Sequence, residues 1–454
     1  MHRSMLVVLS LFVSACGPRQ EDTGPEGETD TPDGPECAED ADCGSGSICE
    51  AEVCVDGDRN DDIDGAEMLL WDNVTEGEIN PAGDVDWYSV TADGGEFVRI
   101  SVVTAEAEGG IDSVVSVYNS AGKRVVWEDE HPAGNVSTAD SMCFGYFPEP
   151  GTYYIKVEDT TTFYESRPVG GPDEDYTLEI AEWNSVGVEP DSAQDAGLDF
   201  GLVSTNTLYS FPVLLDEAGE YDWAHLDLPA AGAPIYVVAL QTGDESELVA
   251  SVTMRNQAGD DVIAIEDPTT AAPAMLPNPE GTSYVIGATD AAGGGGADYW
   301  TWLFFVVRDI GSGNTPGQEP DDTLETANVL ELTDEEPSSG ELYSGYRQGR
   351  IDTESDADLY AFDATFDDAY VSVYLGAQPY GSLLVPRIEI LDASGAVLDT
   401  VDSSAGVDTD ALDLGPYATG SYFLRVSATP ESGAVGGEGY FYLFGLFTSS
   451  SPMD

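Results

Sequence analysis

Three aspartates open three strands in the same way. Asp86 lies in GDVDWYSV, Asp222 in GEYDWAHL and Asp358 in SDADLYAF, and successive members of the set are 136 residues apart. A carboxylate placed where a loop becomes a strand has two kinds of chemistry open to it. It can accept backbone N–H bonds and set the strand's register. It can also offer oxygen to a hard cation such as calcium, which takes roughly six to eight oxygen ligands.

Catalytic chemistry is harder to assemble from this sequence. Of its three histidines, His2 falls in the N-terminal export signal, while His131 and His225 belong to different repeats and to no HExxH-like spacing. The sequence has no GxSxG elbow, no Gly-rich phosphate loop and no Cys–His protease signature. Paired carboxylates of the glycosidase kind carry no information among 87 acidic residues. The chain is therefore read as a non-enzyme.

The elements that hold these residues must be soluble, acidic and well packed. With 14 Lys+Arg against 87 Asp+Glu, the net charge of -73 repels nucleic acid phosphates and anionic lipid heads. Hydrophobic residues at 41% and aromatics at 10% supply enough apolar surface for cores. A length of 454 residues calls for more than one of them.

The N-terminus, MHRSMLVVLSLFVSAC, has a short basic start, an apolar run from Met5 to Val13 and small residues before Cys16, the layout of an export signal over residues 1–15. The run is too short to cross about 30 Å of hydrocarbon. Its ending, Val13-Ser14-Ala15-Cys16, resembles the lipobox of bacterial lipoproteins; the other reading of the same residues is a secretory signal cut after Ala15. The resemblance implies a lipidated Cys16 and a membrane anchor, and Gly17 after it implies the outer membrane, facing either the periplasm or the exterior. Residues 16–36 are rich in Pro, Gly and acid and read as a disordered tether. In residues 37–55, Cys37, Cys43, Cys49 and Cys54 read as a disulfide framework of open connectivity, since a zinc site would want CxxC spacing or a nearby histidine. Cys143, in SMCFGYF, is expected as a buried, inert thiol.

From about residue 56 the texture is all-β, and four features recur in one order. After the aspartate strand comes a hairpin, VSVYNSAGKRVV, VTMRNQAGDDVI or IEILDASGAVLD, with Gly122, Gly259 or Gly395 where a turn needs φ > 0 and Asn119, Asn256 or Asp392 three residues earlier. Then follow an aromatic strand (PGTYYIKVED, EGTSYVIGATD, TGSYFLRVSAT) and a closing strand (DYTLEI, DYWTWLFF, GYFYLFGL). Alternation places Tyr88 and Val90, Leu226 and Leu228, and Tyr360 and Phe362 on the core face. The expected organisation is three sandwiches over 56–184, 185–310 and 319–454, with a linker at 311–318.

These features, with the acidic stretches DRNDDIDGA at 58–66, EPDSAQDAG at 189–197 and EPDDTLETA at 319–327 that precede them, resemble the bacterial pre-peptidase C-terminal domain. The first and third copies match well; the second, with Ala224 and His225 after its aspartate, matches less well. The resemblance implies three tandem jelly-roll-like β-sandwiches and, by analogy with collagen-binding members, a calcium site made by the acidic stretch and the strand aspartate. Carried over, the ligands would be Asp58, Asn60, Asp61 and Asp86 in the first copy and Glu319, Asp321, Asp322 and Asp358 in the third. The family's carboxylate three residues before the strand aspartate is Gly83 or Ser355 here, leaving Asp84 and Asp356 as substitutes. The expected role is non-catalytic: tandem modules at the cell envelope that bind a surface or extracellular polymer, glycan or protein. The alternatives are an acidic spacer or coat with no specific ligand, and an accessory factor for export or localisation of a secreted enzyme.

Overall fold

The computed structural model describes residues 47–50, 53–56, 60–104, 110–129, 140–171, 174–183, 197–240, 246–269, 273–308, 319–335, 342–403, 409–429 and 436–452. The export signal, Cys16, the tether, Cys37, Cys43, Asp58, His131 and the linker lie outside these residues. In the cysteine-rich stretch, strands Ser47–Glu50 and Val53–Asp56 pair antiparallel with Cys49 directly opposite Cys54. No helix among the described residues is long and apolar enough to cross a membrane.

Two compact units divide the chain, one with the first sandwich and the other with the second and third. In the first sandwich a five-stranded sheet runs Glu67–Met68, Val85–Ala92, Gly151–Asp159, Ser113–Tyr118, Arg124–Glu128, and a four-stranded sheet runs Asn73–Glu78, Asp175–Glu182, Glu96–Thr104, Ser141–Phe147. The second and third sandwiches repeat this order, the third with a fifth strand in its second sheet. Among the described residues the named strands pair antiparallel except the short first edge strand, which runs parallel to the aspartate strand in each copy.

Period-two alternation explains which residues meet. Along Val85–Ala92, Asp86, Tyr88, Val90 and Ala92 are buried, while the residues between them are partly or fully exposed. Val157, Ile155 and Tyr153 lie opposite Asp86, Tyr88 and Val90 on the neighbouring strand, and all three are buried. The facing sheet adds Ile100, Val102, Leu178 and Ile180 to the same core. Each such aliphatic side chain stabilises the fold by about 1.5–3 kcal/mol through removal from water. A core at the corresponding positions recurs in the third sandwich around Phe362, Ile390, Leu424 and Phe444.

The hairpins form as their residues dictate. Gly122, Gly259 and Gly395 have φ of 75°, 86° and 84°. Asn119, Asn256 and Asp392 each accept two backbone N–H groups through Oδ1, closing the turn locally. Cys143 is buried among apolar neighbours, and burial pushes its thiol far above the usual range, so it remains protonated.

Candidate metal centre

The three strand aspartates are buried, and this is where their roles part. In the first copy Tyr176, on the closing strand, donates its hydroxyl to Asp86 Oδ2, with Tyr88 Oη 2.7 Å from Tyr176 Oη. In the third copy Tyr442 donates to Asp358 Oδ2, with Tyr360 Oη 2.9 Å from Tyr442 Oη. Burial and the aspartate's charge push Tyr176 and Tyr442 well above the usual phenol range, so each stays a donor. Room for the two rings comes from a glycine opposite the closing-strand tyrosine, Gly77 or Gly349. A Cβ at Gly349 would lie 2.3 Å from Tyr442 Oη and 2.6 Å from Tyr360 Oη.

The second copy lacks this arrangement. Ala224 takes the place of the first tyrosine, and Thr301 lies opposite Val213 where the other copies pair tyrosine with glycine. Asp222 Oδ2 accepts the Leu214 N–H at 2.9 Å, the register-setting role open to any strand aspartate. In the first and third copies that role passes to the aspartate two residues earlier: Asp84 Oδ2 accepts Asn80 N–H at 2.9 Å, and Asp356 Oδ2 accepts Asp352 N–H at 2.5 Å.

With Oδ2 of Asp358 held by Tyr442, its Oδ1 is left buried without a hydrogen-bond partner, and so is Oδ1 of Asp321; the two residues are 1% and 0% exposed. Asp321 is held by its backbone carbonyl, which accepts Leu359 N–H at 3.2 Å, and by Asn328, whose Nδ2 donates to Oδ2 at 2.5 Å. One carboxylate oxygen from each of Glu319, Asp321 and Asp358 lies within 4.8 Å of the others, and the same holds for Glu319, Asp322 and Asp356. The acidic stretch 319–327 and the aspartate strand with the turn before it thus converge on five carboxylates, in two overlapping sets that share Glu319. Among the described residues no lysine or arginine is ion-paired with any of the five.

The electrostatic result is strong. Burial, followed by the charges of Asp321, Asp356 and Glu319, pushes Asp358 up to about 9 despite the Tyr442 hydrogen bond. Burial and Glu319 raise Asp321 to about 7, and Asp356 rises to about 7 for the same kind of reason. Glu319 is raised as well, chiefly by burial. Such a site favours either protons or a multivalent cation, because mutual repulsion at low dielectric penalises the bare carboxylates.

Of the first-copy residues singled out from the sequence, Asn60 is buried and its carbonyl accepts Trp87 N–H at 2.7 Å, the position of Asp321 in the third copy. Asp61 is exposed and Asp86 is buried. The third copy brings all four of its expected residues together and adds Asp356. Tyr88 and Tyr360 are expected from sequence only as core residues, and Tyr176, Tyr442 and the glycines opposite them are not singled out by it, although the spacing from Gly77 to Asp86 recurs from Gly349 to Asp358.

His225 also has partners that sequence spacing hides. Its Nδ1 lies 2.9 Å from Asp199 Oδ1 and its Nε2 2.9 Å from Ser283 Oγ. The three occupy adjacent strands, and the Asp199 side chain is largely exposed. They form a polar ladder that ties the edge strand Leu198–Leu202 to its sheet.

The region with the aspartate strand, hairpin and aromatic strand of the first copy decides the family resemblance. Residues 84–159 match the bacterial pre-peptidase C-terminal domain. Among solved structures, the pre-peptidase C-terminal domain of collagenase from Bacillus anthracis is similar at 15% identity, over 25% of this chain and 93% of that one, with a TM-score of 0.19. The CUB1-EGF-CUB2 domains of rat MASP-1 are similar at 8% identity, over 54% and 99% of the two chains, with a TM-score of 0.18. No curated protein matches the sequence. The match of residues 84–159 to this domain model, within an all-β tandem, agrees with a binding-type module in general terms.

Proposed function

We propose that the third sandwich binds calcium through Glu319, Asp321, Asp322, Asp356 and Asp358, and that the tandem is a non-catalytic binding module stabilised by that ion. The observation that carries this reading is the pair of buried, unpartnered oxygens, Oδ1 of Asp321 and Oδ1 of Asp358, among carboxylates forced upward by burial and by one another. Hard anionic oxygens in that number suit calcium better than softer metals. The ion would neutralise the cluster and tie the acidic stretch 319–327 to the aspartate strand. In the first copy, Asn60 in place of an aspartate lowers the site's charge, so weaker binding is expected there.

The lipobox-like VSAC and the acidic tether support display of this module from a membrane anchor at the cell envelope. The partner proposed for it is a surface or extracellular polymer or protein. Calorimetric titration of calcium into the purified chain tests the metal reading. A tight, saturable step that disappears in Asp358→Ala, leaving only the weaker first-copy step, and that persists in Asp86→Ala is expected; no heat, together with no calcium-dependent rise in melting temperature, would remove the proposal.

A further inference from the structure

Within the unit that contains the second and third sandwiches, a buried tyrosine of one is served by a carboxylate of the other. Glu438, just ahead of the third sandwich's closing strand, is 8% exposed. Its Oε1 accepts Glu280 N–H at 2.8 Å and the hydroxyl of buried Tyr284, both of the second sandwich. Asn256, whose Oδ1 closes the second hairpin, turns its Nδ2 toward Glu438 Oε2 at 3.4 Å. Tyr284 lies opposite Leu226, where Tyr153 and Tyr422 of the other copies bond to a backbone carbonyl of their own sandwich, and here the neighbouring sandwich supplies the acceptor instead.

Three more contacts cross the junction. Arg350 Nη1 lies 2.7 Å from Glu280 Oε1, and its Nε lies 2.5 Å from Asp352 Oδ1. Ala264, on the edge strand Asp261–Glu266 of the second sandwich, donates N–H to Gly381 O of the third at 3.0 Å. Gly381, with φ 91°, packs so closely on Ile263 that a Cβ would meet its Cγ2 at 2.6 Å.

The segment carrying Arg350 and Asp352 is also the one that holds Asp356. Asp352 N–H donates to Asp356 Oδ2. Gly437 N–H donates to Ile351 O at 2.8 Å and Ile351 N–H to Tyr440 O at 3.0 Å, so the turn bearing Glu438 rests on residues 351–353. Glu319, shared by both carboxylate sets, lines one cleft with Arg350, Asp352 and Glu438.

We infer that calcium at the third sandwich and the junction with the second are coupled, because residues 350–356 present Asp356 to the ion and Arg350 to the neighbouring sandwich, and support the turn that brings Glu438 there. The inference rests on the calcium reading and adds a regulatory role for that site: the ion fixes the two sandwiches as one body. Arg350 and Glu438 act here as positioning residues and do not touch the ion. Because coupling is reciprocal, loosening the junction must weaken calcium binding.

The test uses the full chain and two readouts, calcium affinity by calorimetry and hydrogen exchange of peptides covering residues 256–284 of the second sandwich and 350–360 of the third. In the wild type, saturating calcium should slow exchange around Ala264 and Glu280, in the second sandwich. In Glu438→Gln and Arg350→Ala, affinity should fall by about fivefold or more, and the second-sandwich protection should vanish while protection around Asp356 persists. Tyr284→Phe, which removes one donor to Glu438 and keeps the ring, should act in the same direction should the other variants fail to fold. Calcium binding of wild-type affinity in the folded variants, or protection confined to the third sandwich, would overturn the coupling and leave the metal site standing. Absence of calcium binding to the wild type would overturn both.

Discussion

Tyr442 and Asp358, 84 residues apart in the chain, share one buried hydrogen bond, and Tyr176 and Asp86 repeat it in the first sandwich. The bond spans the two sheets of a sandwich, since the tyrosine belongs to the closing strand and the aspartate to the other layer. It also decides which aspartate oxygen remains for a ligand.

Tyr442→Phe removes the donor and leaves Asp358 Oδ2 buried without it. Stability in the absence of calcium should fall by about 1–3 kcal/mol, the cost of an unsatisfied buried polar group, read as a lower urea midpoint with unchanged slope. An unaltered midpoint would mean that the short contact contributes nothing.

Gly349→Ala places a methyl where the hydroxyls of Tyr442 and Tyr360 meet. Overpacking should cost about 1–3 kcal/mol, and the double variant Gly349→Ala/Tyr442→Phe should recover part of it, because the methyl then has more room. Additive losses in a double-mutant cycle would count against direct contact.

Asp358→Asn separates the needs of the bare protein from those of the bound one. In chelator at pH 8 the variant should melt higher than the wild type, since Asp358 must take up a proton to fold beside Asp321, Asp356 and Glu319 and a neutral amide avoids that cost. In excess calcium the order should reverse. A variant less stable than the wild type under both conditions would show that Asp358 serves packing alone.

The pH dependence has a definite sign. The folded-state values of Asp358, about 9, and of Asp321 and Asp356, about 7, lie above their ordinary values. The folded protein therefore holds protons that the unfolded chain releases. Without calcium, these groups make stability fall as pH rises from about 4 towards about 9, with little further change outside that window. Glu319, Asp322 and the Tyr360–Tyr442 pair face the same cluster. Calcium must displace the protons, so its affinity should rise as pH rises from about 6 to about 9. Proton release should appear as a binding heat that depends on the buffer's ionisation enthalpy. A buffer-independent heat at about pH 7 would contradict the raised values.

Much of the architecture was legible because it rests on local rules. Asn119, Asn256 and Asp392 with their glycines close hairpins through contacts within four residues, and alternation at Tyr88/Val90 and Tyr360/Phe362 names the buried face without knowledge of the partner sheet. Glu319, Asp321, Asp322 and Asp358 could be gathered only through resemblance to a family, as no local rule joins residues on separate elements. The different character of the second copy showed in the sequence as Ala224, but not the contact of its Tyr284 with Glu438, which comes from the next sandwich.

The sequence by itself determined the repeat, the all-β texture, the turn chemistry and the acidity, because each depends on composition or on spacing within one element. Tertiary structure alone decided which oxygen of Asp358 is occupied by Tyr442, that Asp356 joins Glu319 and Asp322, and that Arg350 and Glu438 join two sandwiches. These contacts cross sheets and copies, so their distances are set by strand order and register, which bring together residues that the chain keeps far apart.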